Sequence, residues 1–317
     1  MRLVDRVLSM PTRGTLSILI FHRVLRQADL LLPDLPDSAT FERLVALLVA
    51  RCAVLPLDEA ISRFKRGELP GSAVAITFDD GYADNHDVAM PILKRHGISA
   101  TFFIATGYID GGIMWNDRII ESIRHTKVGQ LDLRALELGT LAVNTLDERR
   151  AAVTTLLPRL KHLPGDARSA AVDRIVENTR TGRLPLDLML SSAQVVQMAA
   201  DGMEIGAHTV SHPILASEQV SAARREICAS RDHLADLLRI PIRTFAYPNG
   251  RPGVDYLAAH VKIVRDAGFD AAVTTSNGVA RTGDDVFQLP RFTPWDRPGN
   301  RFMLRLLQNR LHRPAFV

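Results

Sequence analysis

Residues 77 to 86 read TFDDGYADNH, and Asp79 and Asp80 stand side by side behind an apolar run and ahead of a glycine. A solvated turn or a helix cap rarely needs both carboxylates. His208 and His212 come from AHTVSH, His22 follows LSILIF, and Tyr247, Pro248, Asn249 and Gly250 follow RTFA. Each group sits just after a short apolar run. In a parallel α/β fold, catalytic side chains gather at that end of the strands. Two histidines and one carboxylate make up the three protein ligands of a catalytic zinc-like ion, which keeps positions open for water and substrate. The neighbouring aspartate then has a different task, taking a proton from a water whose acidity the ion has raised. Other motifs fit less well. The zinc-protease pattern needs Glu directly after its first His, where this chain has Thr209. A phosphatase with an aspartyl nucleophile separates its two acids by one residue. Pro213 disfavours His212 as a mid-helix residue, so the histidine pair belongs to a strand-to-loop segment.

The elements that must position these residues are legible as apolar runs: LSILIF (16–21), CAVLPL (52–57), AVAITF (73–78), ATFFIA (100–105), MEIGA (203–207), RTFAY (243–247), AAVTT (271–275) and LPRF (289–292). They predict buried parallel strands. Helical patterns such as FERLVALLVAR, DEAISRFKRG and VAMPILKRHG separate them, the last with a glycine placed as a stop. This alternation predicts a parallel α/β architecture, closed or open. Between about residues 115 and 190 the strand signal disappears, and three helical patterns predict a helical insertion. The α/β body resumes at LSSAQVVQMAADG, where Ser191 and Gln194 have capping-box spacing and Gly202 suits a helix stop.

Composition bounds the rest. With 317 residues, 46% of them hydrophobic, the chain can bury a large core, and one domain over 1–317 is expected. Apolar residues near the N-terminus are broken by Asp5, Arg6 and Arg13, which does not read as a signal peptide and predicts a cytoplasmic protein. No uncharged run approaches the roughly 18 residues of a spanning helix. Cys52 and Cys228 belong to no C-x-x-C pair and read as buried, reduced thiols. A net charge of +4 without a basic, aromatic-interleaved stripe argues against nucleic acid. Beyond Asp296 there is no acidic residue, and Arg301, Arg305 and Arg310 alternate with Phe302, Leu304 and Leu307. This predicts a basic helix over about 298–313, either packing its leucine face on the body or lying peripherally on a membrane.

TFDDGY, EIGAHTVSHPIL and FAYPNG, in that order, closely resemble the polysaccharide deacetylase family, the NodB homology domain or carbohydrate esterase family 4. FHRV, FERLVALL, LPLDEAI, ATFFIATGYI, REICASRDHL and LPRF agree, extending the resemblance over roughly residues 16 to 295. An insertion opening with MWNDRI resembles that of a bacterial branch linked to exopolysaccharide synthesis. The resemblance implies a distorted (β/α) barrel of seven strands that removes the acetyl group of an N-acetylated glycan or lipid-linked sugar. It implies Asp79 as catalytic base, Asp80, His208 and His212 as ligands of a divalent metal, zinc foremost, and the Asn249 N–H as oxyanion donor.

Two positions depart from the family pattern. Ala246 stands where the third motif usually carries the arginine that orients the base, and Arg291 is the candidate substitute. The last motif lacks its histidine acid, for which His22 is the candidate. Tyr247 and Trp295 are candidates for a sugar platform, and Trp115 for the same role, with core packing as the alternative for each. A metal amidohydrolase acting on a non-sugar amide and a non-catalytic glycan-binding relative are the competing functions.

Overall fold

The computed structural model describes residues 14–293 and 299–317. A curled sheet follows the path β10-β1-β3-β4-β7-β8-β9, with β2 pairing on β3. Its strands are β1 (Thr15–Phe21), β2 (Ala53–Val54), β3 (Ala73–Phe78), β4 (Thr101–Ile104), β7 (Glu204–Ala207), β8 (Thr244–Ala246), β9 (Ala271–Val273) and β10 (Ala280–Arg281). All neighbours run parallel except β10, which pairs antiparallel with the start of β1. The helices packed on it are α1 (Ser38–Arg51), α2 (Leu57–Arg66), α3 (Met90–Arg95), α7 (Ser192–Ala200), α8 (Val220–Leu238) and α9 (Ala258–Asp266). The result is the parallel α/β architecture that the alternation predicts, in the form of the distorted (β/α) barrel that the resemblance implies.

The run LPRF is not a ladder strand. Leu289 bridges Val273 and Phe292 bridges Leu19, joining β9 to β1, but Pro290 has no N–H and a continuous ladder cannot form across it. The ends are nonetheless well bonded, with the Phe292 N–H donating to the Ile18 carbonyl at 2.8 Å. CAVLPL likewise shortens to the two residues of β2 ahead of Pro56.

Side-chain alternation splits the strands into two apolar sets. Val74, Ile76 and Phe78 pack with Phe102, Phe245 and the helices. Ala73 and Ala75 face inward with Leu16, Ile18, Phe103 and Ala246, joined by Ile61 and Phe64 of α2. Phe78 stacks on Phe102 at 4.8 Å between ring centres, and Phe41 of α1 meets Phe78 edge-on. Glu204 ties β7 to α2, whose N-terminus has no cap of its own: its carboxylate accepts from the N–H groups of Leu57 and Asp58.

Between β4 and α7 lie α4 (Trp115–Arg124), α5 (Leu146–Lys161) and α6 (Gly165–Thr179), which share an apolar cluster of their own with Leu31 from the loop after β1. The stretch is not wholly helical. An antiparallel pair, β5 (Gln130–Asp132) and β6 (Thr140–Ala142), interrupts it. Three-residue strands that expose most of their side chains leave no apolar run to detect. The capping boxes at Thr145–Glu148 and Ser191–Gln194 are formed.

The C-terminal helix α10 (Gly299–Asn309) buries Phe302, Met303 and Leu306 and packs against α1, leaving Leu304 exposed. Among the described residues no helix is long and apolar enough to cross a membrane. Cys52 and Cys228 are unpaired and half-buried rather than buried, and burial pushes the Cys52 thiol up to about 11.

Gly206 of β7 falls on the inward-facing set, where a Cβ would stand 2.4 Å from the Phe103 ring and 3.0 Å from Thr244 Oγ1. Gly206→Ala is therefore expected to destabilise the protein by about 1–3 kcal/mol, read by urea unfolding. An unchanged midpoint would mean that Phe103 does not fill the barrel interior.

Candidate active site

Strand parity delivers the first carboxylate. Continuing the inward set of β3 through Ala73, Ala75 and Thr77 brings Asp79 inside the barrel, and the inward set Leu289, Arg291 brings a guanidinium to meet it. Arg291 Nη1 and Nη2 donate to Asp79 Oδ1 and Oδ2 at 2.6 and 2.7 Å, a bidentate pair. Its Nε donates to the Thr274 carbonyl at 2.9 Å, and Nη1 also reaches Thr77 Oγ1 at 3.2 Å. Both side chains are almost fully buried, Asp79 at 3% and Arg291 at 1% exposure. Burial would raise the Asp79 carboxyl, yet Arg291, and after it His208, hold it below the ordinary carboxylate range.

Asp80 leaves the strand. The Asp79 N–H makes the last ladder bond, to the Phe21 carbonyl, and Asp80 and Gly81 then take left-handed φ of 77° and 86°. That turn carries the second carboxylate out of the strand's alternation. His208 follows β7 and donates from Nδ1 to the Ala246 carbonyl at 2.7 Å, which leaves Nε2 free and 3.5 Å from Asp80 Oδ1. His212 Nε2 lies 3.3 Å from the same oxygen.

The loop between the histidines is clamped from α8. Glu226 accepts from the N–H groups of Val210 and Ser211 and from Ser211 Oγ, each at 2.8 Å. Thr209 Oγ1 accepts the His212 N–H at 3.1 Å. Thr209 and His212 both hold positive φ, 65° and 53°, and these bonds offset that cost.

Ligand atoms of Asp80, His208 and His212 all lie within 4.8 Å of one another. Asp80 Oδ1 is buried without a hydrogen-bond partner, an orphan acceptor facing two imidazoles. Burial foremost pushes His212 down to about 4, so it offers a neutral lone pair at neutral pH. Burial would raise Asp80, but His212 and His208 draw it below its ordinary value; His208 is raised against its burial by Asp79 and Asp80. Orphan oxygen, neutral imidazole and a second-sphere carbonyl make a donor set that fits a borderline divalent cation.

A cavity of about 800 Å³ opens over this cluster, lined by His22, Asp80, His212, Asn249 and Trp115. His22 is exposed at its edge, with its carbonyl anchored by Asn85 Nδ2 at 2.8 Å. Asn249 has φ of 59°, and the next residue, Gly250, has φ of 72° and no space for a Cβ, which would stand 2.9 Å from the Thr275 nitrogen. Trp115 is half-buried, with Arg168 over its ring at 5.3 Å.

Tyr247 is not at the cavity. It is fully buried, stacked on Tyr256 at 4.0 Å, and its hydroxyl donates to the Phe287 carbonyl. The cause is parity: Tyr247 continues the helix-facing set of Phe245, opposite to Ala246. Trp295 lies outside the described residues. Sequence reasoning passed over Glu226 and a buried group on the cavity wall, in which Tyr82 donates to Asp117 at 3.0 Å and Arg23 pairs with Asp84 at 2.7 Å. Burial pushes Asp117 up to about 7. Their only sequence signal is position within the FHRV, GYAD, MWND and REICASRDHL segments.

Fold and side-chain cluster together define an α/β barrel with an Asp-Asp-His-His centre at the C-terminal ends of its strands. The chain belongs to the polysaccharide deacetylase family, whose profile matches residues 66–130 and 140–272. YxkH of Bacillus subtilis, which carries the polysaccharide deacetylase name, is 23% identical over 69% of this chain, and the match spans half of the length of YxkH. Among solved structures, the Streptococcus pyogenes deacetylase PplD in complex with acetate aligns with TM-score 0.60 and 21% identity over 94% of this chain and 99% of its own. IcaB from Ammonifex degensii aligns with TM-score 0.61 and 19% identity, over 94% and 97%. At these identities the structural likeness speaks for the fold.

Arg291→Met strips Asp79 of its buried counter-charge and should cost about 3–5 kcal/mol in urea unfolding. The pH dependence should also change sign. With Arg291 present, the depressed Asp79 contributes stability above its unfolded pKa that is lost as pH falls through its folded value; without Arg291, protonation relieves the buried charge and stability should rise as pH falls from 7 towards 5. Equal stability losses at pH 5 and pH 7 would show that the pair does not govern Asp79.

Proposed function

We propose that the chain is a metal-dependent N-deacetylase acting on an acetylated amino sugar of a surface polysaccharide or of its lipid-linked precursor. The observation that carries this reading is the clamping of Asp79 by Arg291 beside the Asp80, His208 and His212 cluster at a saccharide-sized cavity. Family membership supports sugar deacetylation, and the streptococcal neighbour was solved with acetate, the product of such a reaction. Asp80, His208 and His212 would hold the divalent cation, with zinc favoured by the imidazole and carboxylate donors. When bound, the cation supplies Lewis acidity, polarising a carbonyl oxygen and lowering the pKa of a water.

The chain's own residues divide the proton chemistry. Asp79, ionised through its pairing with Arg291, accepts a proton from the water whose oxygen bonds to the acetyl carbon. The Asn249 N–H donates to the carbonyl oxygen as it takes up negative charge. When the C–N bond breaks, His22 at the cavity edge gives a proton to the departing amine, and acetate and the free amino sugar are the products. Arg291 assumes the orienting role for which position 246 has only a methyl group. The body and its insertion act as one unit in this reading, because the cavity draws its lining from both.

Acetate release by the zinc-loaded protein from N-acetylhexosamine oligomers and lipid-linked N-acetyl sugars tests the proposal. Asp79→Asn should lower the rate by about 10²–10⁴-fold while still binding zinc, and His212→Ala should lose zinc affinity in calorimetry. Bound zinc with no acetate from any acetylated saccharide, together with hydrolysis of a small linear amide, would move the function to a non-sugar amidohydrolase.

A further inference from the structure

The cavity over Asp80 and His212 has an unbalanced wall. Five arginine or lysine side chains line it against three aspartates. Two of the cations are spoken for: Arg23 pairs with Asp84 at 2.7 Å, and Arg150 pairs with Asp147 at 2.8 Å. The acids offer the others little. Asp80 faces the two histidines, Asp117 is buried under Tyr82 and lifted towards neutrality, and Asp34 is on the exposed edge.

Lys161, Arg168 and Arg251 remain. Among the described residues no carboxylate lies within ion-pair distance of Lys161 or Arg168; Arg168 donates to the Lys161 carbonyl at 3.2 Å and covers Trp115. Arg251 Nε is 3.9 Å from Asp255, whose Oδ2 already accepts the Arg251 N–H at 3.0 Å. Lys161 is half-buried and within electrostatic reach of Arg251: burial lowers its ammonium, Asp255 resists and Arg251 adds to the fall. Lys161 and Arg168 are half-buried on the wall and Arg251 is exposed at its rim, so an anion reaching all three would be met by charges that no close carboxylate balances. The three side chains reach the cavity from two directions. Lys161 and Arg168 come from α5 and α6, while Arg251 follows Asn249 by two residues in the loop after β8.

We infer that the substrate carries a negative charge close to its acetamido sugar, a phosphate or a carboxylate, and that Lys161, Arg168 and Arg251 bind it. This rests on the deacetylase reading and narrows it from acetylated sugars in general to anionic ones. Charge-assisted bonds from a guanidinium fork and an ammonium suit either oxyanion.

Calorimetry on zinc-loaded Asp79→Asn protein, which does not consume its ligand, tests the inference independently of turnover. Three ligands are compared: N-acetylglucosamine 1-phosphate, an N-acetylglucosamine disaccharide with glucuronate, and the neutral N-acetylglucosamine disaccharide. At least one charged ligand should bind about tenfold tighter than the neutral one, and which of them does so distinguishes phosphate from carboxylate. The preference should weaken with added salt and collapse towards unity when Lys161→Gln, Arg168→Gln and Arg251→Gln are combined, while Arg66→Gln on the exposed face of α2 leaves it intact. Equal affinity for all three ligands would overturn the inference even if acetate release succeeds. A phosphate preference that survives the triple substitution would also overturn it, by assigning the anion to the cation at Asp80. Charge preference without acetate release in wild-type protein would leave the anion site standing and remove the deacetylase reading instead.

Discussion

The bidentate pair between Arg291 and Asp79 is the constraint around which the barrel interior is arranged. Desolvating the two ions costs several kcal/mol each, and the pair persists because almost every polar atom is met: both carboxylate oxygens, the Thr77 hydroxyl and the Thr274 carbonyl share the guanidinium. Space for it comes from small inward side chains. Ala73, Ala75 and Ala246 leave the volume that a guanidinium needs, and Gly206 does the same for Phe103. An apolar filling of equal volume would be as stable or more so, which points to positioning of Asp79 rather than to stability as the reason for the pair. Ala246 takes part in another way, since its carbonyl fixes the orientation of His208.

Pairing and basicity pull against each other. A carboxylate held below its ordinary range by Arg291 is a weak base, and in the proposed reaction it would need a water made more acidic than bulk water. The orphan Asp80 oxygen and the neutral His212 next to it supply the donor set for the group that would do so. The two parts of the centre therefore make sense only together. Backbone geometry shows the same coupling: Asp80, Thr209, His212 and Asn249 all hold left-handed φ, at roughly 1–3 kcal/mol for each strained residue, and Glu226 and the Thr209 hydroxyl are spent holding two of them.

Much of this was legible in the sequence because strand-end chemistry is local. Asp79 and His208 each follow an apolar run directly, with Asp80 next to the one and His212 four residues beyond the other, and counting by twos along AVAITFD and LPR sends Asp79 and Arg291 to the same interior. The same count assigns Tyr247 to the helix side, so its reading as a sugar platform failed on a rule that was already available. Other features left no such trace. The hairpin of β5 and β6 is too short and too exposed to show a period, and LPRF has an apolar profile without the N–H that a ladder requires at Pro290. Glu226, Tyr82 and Asp117 act through partners distant in the chain, a relation that spacing cannot express.

The division of labour follows from that difference. Strand ends hold the Asp-Asp-His-His cluster, because parallel register places its members on one rim whatever lies outside it. The insertion has no motif and no strand register, yet α4, α5 and α6 bring Trp115, Lys161 and Arg168 to the same cavity around a separate apolar cluster. An element that packs on its own core can change its inward residues without disturbing the buried pair of Arg291 and Asp79. Its side chains are thus the part of the cavity most free to vary, while the Asp-Asp-His-His cluster beneath them stays with the strands.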